Sequence, residues 1–241
     1  MRVAMWGLKG GVGTTSLVAM LGDALSQLGE SVLLIDLNPS DVLRLHFGIP
    51  YSDACGWALT HATEGDAWSG QAYHIKDELF VLPYGRHGNV PTTMRRSSLE
   101  GEAFWARAVE RLGNEYSWVI FDLPSGGEDY LALRQPGALD VMVARPDIVS
   151  DVLLVQCPLM PGTRLLVNQH EPMYRLESDV LLSWQHHYGS RILPVRIGQD
   201  ESIHEALGHK MPATSYLPAS AGAHDMLSLA TWCIAQRGVQ S

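Results

Sequence analysis

The sequence predicts an α/β fold with a mainly parallel, doubly wound sheet and helices on both faces. Three observations point there. Short apolar runs, several ending in aspartate, alternate with segments whose apolar residues recur at helical spacing. The first run passes directly into a glycine-rich turn and then a helix. The 241-residue chain has enough length for a sizeable core and carries no repeat, low-complexity tract or linker, so residues 1–241 are expected to form a single domain.

Residues 3–6 read as a buried strand and residues 7–13 as a tight turn. Leu17, Met20, Leu21, Ala24, Leu25 and Leu28 give the next segment one apolar helical face, and Gly29 is placed to end it. Residues 31–36 form a second buried strand, Asn38-Pro39-Ser40-Asp41 a turn, and Leu43–Phe47 a short helix stopped before Pro50. A second short helix is expected over 56–68, with Trp57 and Trp68 as packing residues, then a strand over 79–83. Residues 85–98, rich in Gly, Pro and Arg, read as a mobile loop. A helix over 102–112 places Phe104, Ala108, Val109 and Leu112 on one side, and Trp118–Asp122 is a third strand ending in aspartate. Strands are expected over 139–144, 163–168 and 191–197, and helices over 176–187, 201–207 and 220–236.

The net charge of −9 argues against a protein that coats a nucleic-acid backbone, because such binding draws on clustered Lys and Arg. Arg95, Arg96, Arg107 and Arg111 form the one basic group, best read as a solvated helix face. Cys55, Cys157 and Cys233 lack metal-ligand spacing and read as reduced packing residues of a cytoplasmic protein. No apolar run approaches a membrane span, and the N-terminus enters a strand at once, without a secretion signal.

The glycine turn carries the chemistry. Its amides, with the positive end of the following helix, form an anion site suited to a polyphosphate. Lys9, Gly10, Gly11, Val12, Gly13, Thr14, Thr15 and Ser16 are the candidate ligand-binding residues. Magnesium on a nucleoside triphosphate takes a loop hydroxyl and a carboxylate, which casts Thr15, Asp36 and Asp122 as candidate metal-site residues. Gly7, Gly10 and Gly13 with Asp36 also mimic a dinucleotide-binding turn and its ribose-binding acid. The hydroxyl run, Lys9 and the second strand-end aspartate favour the triphosphate.

Against the pattern G-x-x-x-x-G-K-[ST], Leu8 stands at the first glycine position and Thr14 at the lysine position. What remains, Lys9-Gly10-Gly11-Val12-Gly13-x-Thr15, resembles the deviant phosphate loop of the MinD/ParA branch of P-loop NTPases. The resemblance narrows through Val32-Leu-Leu-Ile-Asp36, Leu43-Arg44-Leu45-x-Phe47, Gly56-Trp57-Ala58, Phe121-Asp122-Leu123-Pro124, Val167-Asn168 and the closing Leu227-x-Leu-Ala-x-Trp-Cys233. Together these are similar to the BcsQ family of bacterial cellulose-secretion operons, whose loop also has Thr in place of the lysine.

The resemblance implies an ATP- and Mg²⁺-binding homodimer with nucleotide at the interface, and Lys9 reaching the other subunit's nucleotide. It implies Asn168 and Asp200 at the nucleoside, Asp36 beside the γ-phosphate, and catalytic roles for Asp36 and Lys9. It also implies partnership with a BcsR-like small protein and inner-membrane cellulose synthase components. Membrane association is expected only through those partners, with no specific nucleic acid. Asn38 stands where MinD and ParA have a second aspartate, and Thr14 where most phosphate loops have lysine, so weak or absent hydrolysis is expected. The competing function is a ParA- or MinD-type positioning ATPase acting on DNA or other cargo.

Overall fold

A computed structural model describes residues 1–58, 65–85, 101–126, 130–135, 137–157 and 159–240. Its seven strands are β1 (Arg2–Gly7), β2 (Val32–Asp36), β3 (Tyr73–Lys76), β4 (Leu79–Leu82), β5 (Trp118–Asp122), β6 (Ala138–Ala144) and β7 (Arg164–Val167), in the sheet order β3-β4-β2-β5-β1-β6-β7. All neighbouring pairs are parallel except β3 with β4. The described helices are α1 (Thr14–Gln27), α2 (Gly101–Glu115), α3 (Ile148–Gln156), α4 (Arg175–Tyr188), α5 (Glu201–Gly208), α6 (Ala213–Tyr216) and α7 (Ala221–Gln240).

Side chains alternate across a strand, and here both sets are apolar. Val3, Met5, Val32, Leu34, Ile120, Val141 and Val143 pack with Leu17, Leu21, Met226 and Ala230 of α1 and α7. Ala4, Trp6, Leu33, Ile35, Val119, Phe121 and Met142 pack on the other face with Trp57, Trp105 of α2, and Val180 and Trp184 of α4. This two-sided burial is why the strands read as continuous apolar runs. Gly29, at φ +83°, ends α1 as expected, whereas Leu28 is 43% exposed and does not belong to the buried face.

Several expectations need correction. Residues 191–197 do not form a strand: they run beside β7 through isolated bridges at Ile192 and Gly198. Leu193 and Ile197 donate to Leu165 and Val167, so four residues here span two on β7 and the pairing falls out of register before a ladder can form. The antiparallel edge strand β3 and helices α3 and α6 were not anticipated. Cys233 is a buried packing residue, but Cys55 and Cys157 are exposed. Of the expected 56–68 helix, Trp57 and Ala58 are helical and Gly65–Gln71 is a 3-10 segment, while residues 59–64 lie outside the described residues, as do the 85–98 loop beyond Gly85 and Arg95 and Arg96. No described helix is long and apolar enough to cross a membrane.

Candidate functional site

The site lies at the carboxyl ends of the strands, where ligands of doubly wound sheets bind. β1 lies inside the sheet between β5 and β6, so its following loop emerges between their ends. The loop is tied at its start by Leu8 N–H donating to Val143 O (2.9 Å) and by Gly126 N–H donating to Gly7 O (2.9 Å). Gly13, at φ +85°, is the N-cap of α1, and a Cβ there would fall 2.7 Å from Asn168 Nδ2. That side chain approaches because it donates to Val12 O (2.7 Å), fastening the end of β7 to the loop.

Two adjoining cavities share Gly11, Gly13 and Ser16. One, of about 220 Å³, is lined by residues 9–16 with Asn38, Asp122, Leu123 and Ser125. The other, of about 390 Å³, is lined by Gly11, Gly13, Ser16, Leu17, Arg145, Asn168, Gln169, Gly198, Gln199, Asp200, Ile203 and His204. The structure thus brings the glycine loop, Thr15 and Asp122 to one cavity and Asn168 and Asp200 to its neighbour.

Asp36 is different. It ends β2 directly opposite Asp122 on β5, but it does not line either cavity. Its carboxylate accepts from Asn38 N–H (2.9 Å) and Leu43 N–H (3.2 Å), and its carbonyl accepts from Trp57 Nε1 (2.7 Å). Its oxygens are turned to the 38–43 turn and hold that turn in place beside Asp122. Asn38, carried on that turn, reaches the cavity instead.

Both strand-end acids are fully buried. Burial, with Asp122 and Asp41 as like-charged neighbours, raises the Asp36 carboxyl well above the usual range despite the two amides. Burial likewise pushes Asp122 up to about 7, against the pull of the Thr15 hydroxyl. Both Asp122 oxygens, and Asn168 Oδ1, are buried without a hydrogen bond of ordinary geometry. Such groups are costly to leave unpaired.

Lys9 is held within its own chain. Its Nζ meets both oxygens of Asp147 (2.8 and 2.6 Å), and Asp147 also caps α3 by accepting from Ser150 N–H (2.8 Å). Burial opposes ionisation of Asp147, but Lys9 and Ser150 outweigh it and hold its carboxyl below the ordinary range. Asp200 caps α5 through Ser202 N–H and accepts from Gly222 N–H (2.9 and 2.7 Å); these bonds outweigh its partial burial and lower its carboxyl too. Sequence reasoning missed Asp147, Ser125, Arg145 and Gln169. For Asp147 a signal existed, since an aspartate directly before the apolar run that begins at Ile148, with Asp151 in the first turn, is a helix-start pattern.

A glycine loop between a buried parallel strand and a helix, with a strand-end carboxylate in its cavity, defines a deviant phosphate-loop protein of the MinD/ParA fold. The fold matches that of a ParA family ATPase from Chlorobium tepidum, with a TM-score of 0.75, 19% identity, and 95% of this chain and 98% of the other covered. MinD from Pyrococcus horikoshii, solved with Mg-ADP, matches with a TM-score of 0.71, 20% identity, and 100% and 99% covered. The family model for cellulose biosynthesis protein BcsQ matches residues 1–234, and this chain belongs to that family. The Salmonella typhimurium cellulose biosynthesis protein BcsQ is 31% identical to it, covering 96% of this chain and 93% of the relative. The BcsQ of Escherichia coli K12 is 26% identical over the same shares.

Proposed function

We propose that this chain binds ATP with Mg²⁺, and that bound nucleotide joins two copies into a scaffold or slow switch for cellulose biosynthesis and secretion. The observation that carries the reading is the buried Asp122 carboxylate, without a hydrogen bond of ordinary geometry, in a cavity walled by the glycine loop. A hard divalent cation supplies what those oxygens lack, and Thr15 offers the neighbouring hydroxyl. Loop amides from Lys9 to Ser16 would hold the phosphates, and Asn168 Oδ1 is an acceptor suited to an amino group on the base. A divalent cation bound there would neutralise phosphate charge. MinD of P. horikoshii with Mg-ADP, and a Mycobacterium smegmatis cobyrinic acid a,c-diamide synthase with an ATP analogue and magnesium, support this reading through shared fold.

Turnover is expected to be weak or absent. Thr14 offers no cation to charge developing on a transferred phosphate, and losing one such group costs about 2.7–4 kcal/mol, or 10²–10³ in rate. Asn38 cannot accept a proton as an aspartate does, and its Oδ1 is already accepting from Ser40 N–H and Oγ (3.1 and 3.0 Å). Asp36 acts here as a positioning residue for the turn that bears Asn38. Lys9 serves the partner's nucleotide after leaving Asp147. A small BcsR-like protein and inner-membrane synthase components are the proposed partners, and they bring this cytoplasmic protein to the membrane.

The test is light scattering with and without Mg-ATP, followed by chromatography of the retained nucleotide. The wild-type chain should double its mass and retain unhydrolysed ATP, and Lys9→Ala should stay monomeric at the same concentration. A chain that binds no nucleotide, or takes a nicotinamide cofactor, refutes the reading; an unchanged Lys9→Ala dimer removes the role of Lys9.

A further inference from the structure

The larger cavity holds a cation with no role so far. Arg145 follows directly on β6, and it lines the cavity with Asn168 and Gln169. Its guanidinium is not free to swing: Nε and Nη2 both donate to Glu177 Oε1 (3.2 and 2.7 Å). Glu177 stands in the first turn of α4 and is 6% exposed, a depth at which a carboxylate requires partners. Its other oxygen accepts from Glu171 N–H (2.9 Å), in the segment that leads away from Asn168 and Gln169. One buried carboxylate thus fixes the cation of one wall and the backbone behind the other.

The phosphate loop has its own cation, Lys9, in the smaller cavity, which Arg145 does not line. A guanidinium held along one edge keeps its plane and Nη1, and its side chain is 34% exposed. A planar, weakly hydrated cation in that state is a stacking surface for an aromatic ring. We propose that Arg145, positioned by Glu177, is a platform on which the nucleotide's base stacks. It supplies affinity common to all bases, leaving choice among them to Asn168. This rests on the nucleotide reading above and adds to it the means by which the base is held.

The test is calorimetric titration of the full chain with Mg-ATP, Mg-GTP and inorganic tripolyphosphate. Arg145→Ala should bind ATP, and GTP where the wild-type chain binds it, about tenfold more weakly, with tripolyphosphate affinity unchanged. Glu177→Gln keeps an acceptor for Glu171 but weakens the hold on Arg145, so it should lose ATP affinity less severely and tripolyphosphate affinity not at all. Arg145→Lys should recover little, because an ammonium has no plane. Unchanged ATP affinity in Arg145→Ala, an equal loss of tripolyphosphate binding, or full rescue by lysine each overturns the platform. A wild-type chain that binds neither ATP nor tripolyphosphate overturns the nucleotide reading itself and the platform with it.

Discussion

Three glycines of the phosphate loop look equivalent in the sequence but should tolerate a methyl group very differently. Gly10 has a backbone outside the left-handed region, and a Cβ there meets nothing within 4 Å. Gly10→Ala should therefore change the stability of the nucleotide-free chain by less than about 0.5 kcal/mol. Gly11 also has open space, but its φ is +80°, and left-handed backbone costs an L-residue about 1–2 kcal/mol. Gly13 combines φ +85° with a Cβ position 2.7 Å from Asn168 Nδ2. Asn168 must yield, which breaks its bond to Val12 O and leaves buried polar groups unpaired, a further cost of about 1–3 kcal/mol. Gly13→Ala should thus lose about 2–5 kcal/mol in all. Urea unfolding followed by tryptophan fluorescence measures the series. The order Gly10, Gly11, Gly13 with rising cost is the expected result. A Gly13→Ala chain as stable as Gly10→Ala would show that Asn168 is not clamped on the loop.

Asp122 carries a pH signature. Its carboxyl is raised to about 7 in the fold and titrates near 4 when unfolded, so its contribution is full below about pH 4 and is lost as pH rises through about 7. Urea unfolding of the nucleotide-free chain at pH 5 and pH 8 should show wild-type stability falling and Asp122→Asn falling less, the remainder belonging to Asp36, which burial also raises; equal losses would remove Asp122 as a cause. Arg44 is fully buried and donates to the carbonyls of Pro50, Asp53 and Cys55 while pairing with Asp41 (3.0 Å). Arg44→Met should cost about 3–5 kcal/mol by removing the cation paired with the buried Asp41 carboxylate, and adding Asp41→Asn should recover part of it; denaturant midpoints of both variants decide. Asp147→Asn should loosen Lys9 and lower the Mg-ATP concentration needed for dimerisation; an unchanged or raised requirement in light scattering would show that the Lys9–Asp147 pair does not restrain assembly.

The central strands were legible because they are buried on both faces, and the phosphate loop because glycines and hydroxyls cluster there. What escaped was set by tertiary context. Tyr73–Lys76 is short, half-exposed and paired on one side only, so it carries little apolar pattern. Helix α3 is dense in branched residues, with Ile148, Val149, Val152 and Val155 all at least half exposed, so it offers no helical stripe. In residues 191–197 the apolar pattern was real, but the two bonds to β7 are spaced four residues against two, which breaks the register a strand needs. The site shows the same division. Asp122 could be placed from its strand, whereas the turning of Asp36 toward Asn38 and Leu43 depends on a loop geometry the strand does not dictate. The tie between Lys9 and Asp147 joins residues 138 positions apart.

The stretch running beside β7 also governs how copies of this molecule can meet. It occupies that flank with amides at Leu193 and Ile197 while Pro194 interrupts any row of donors facing outward. A neighbouring chain therefore finds no continuous ladder on which to extend the sheet there, which disfavours growth into fibres from that margin.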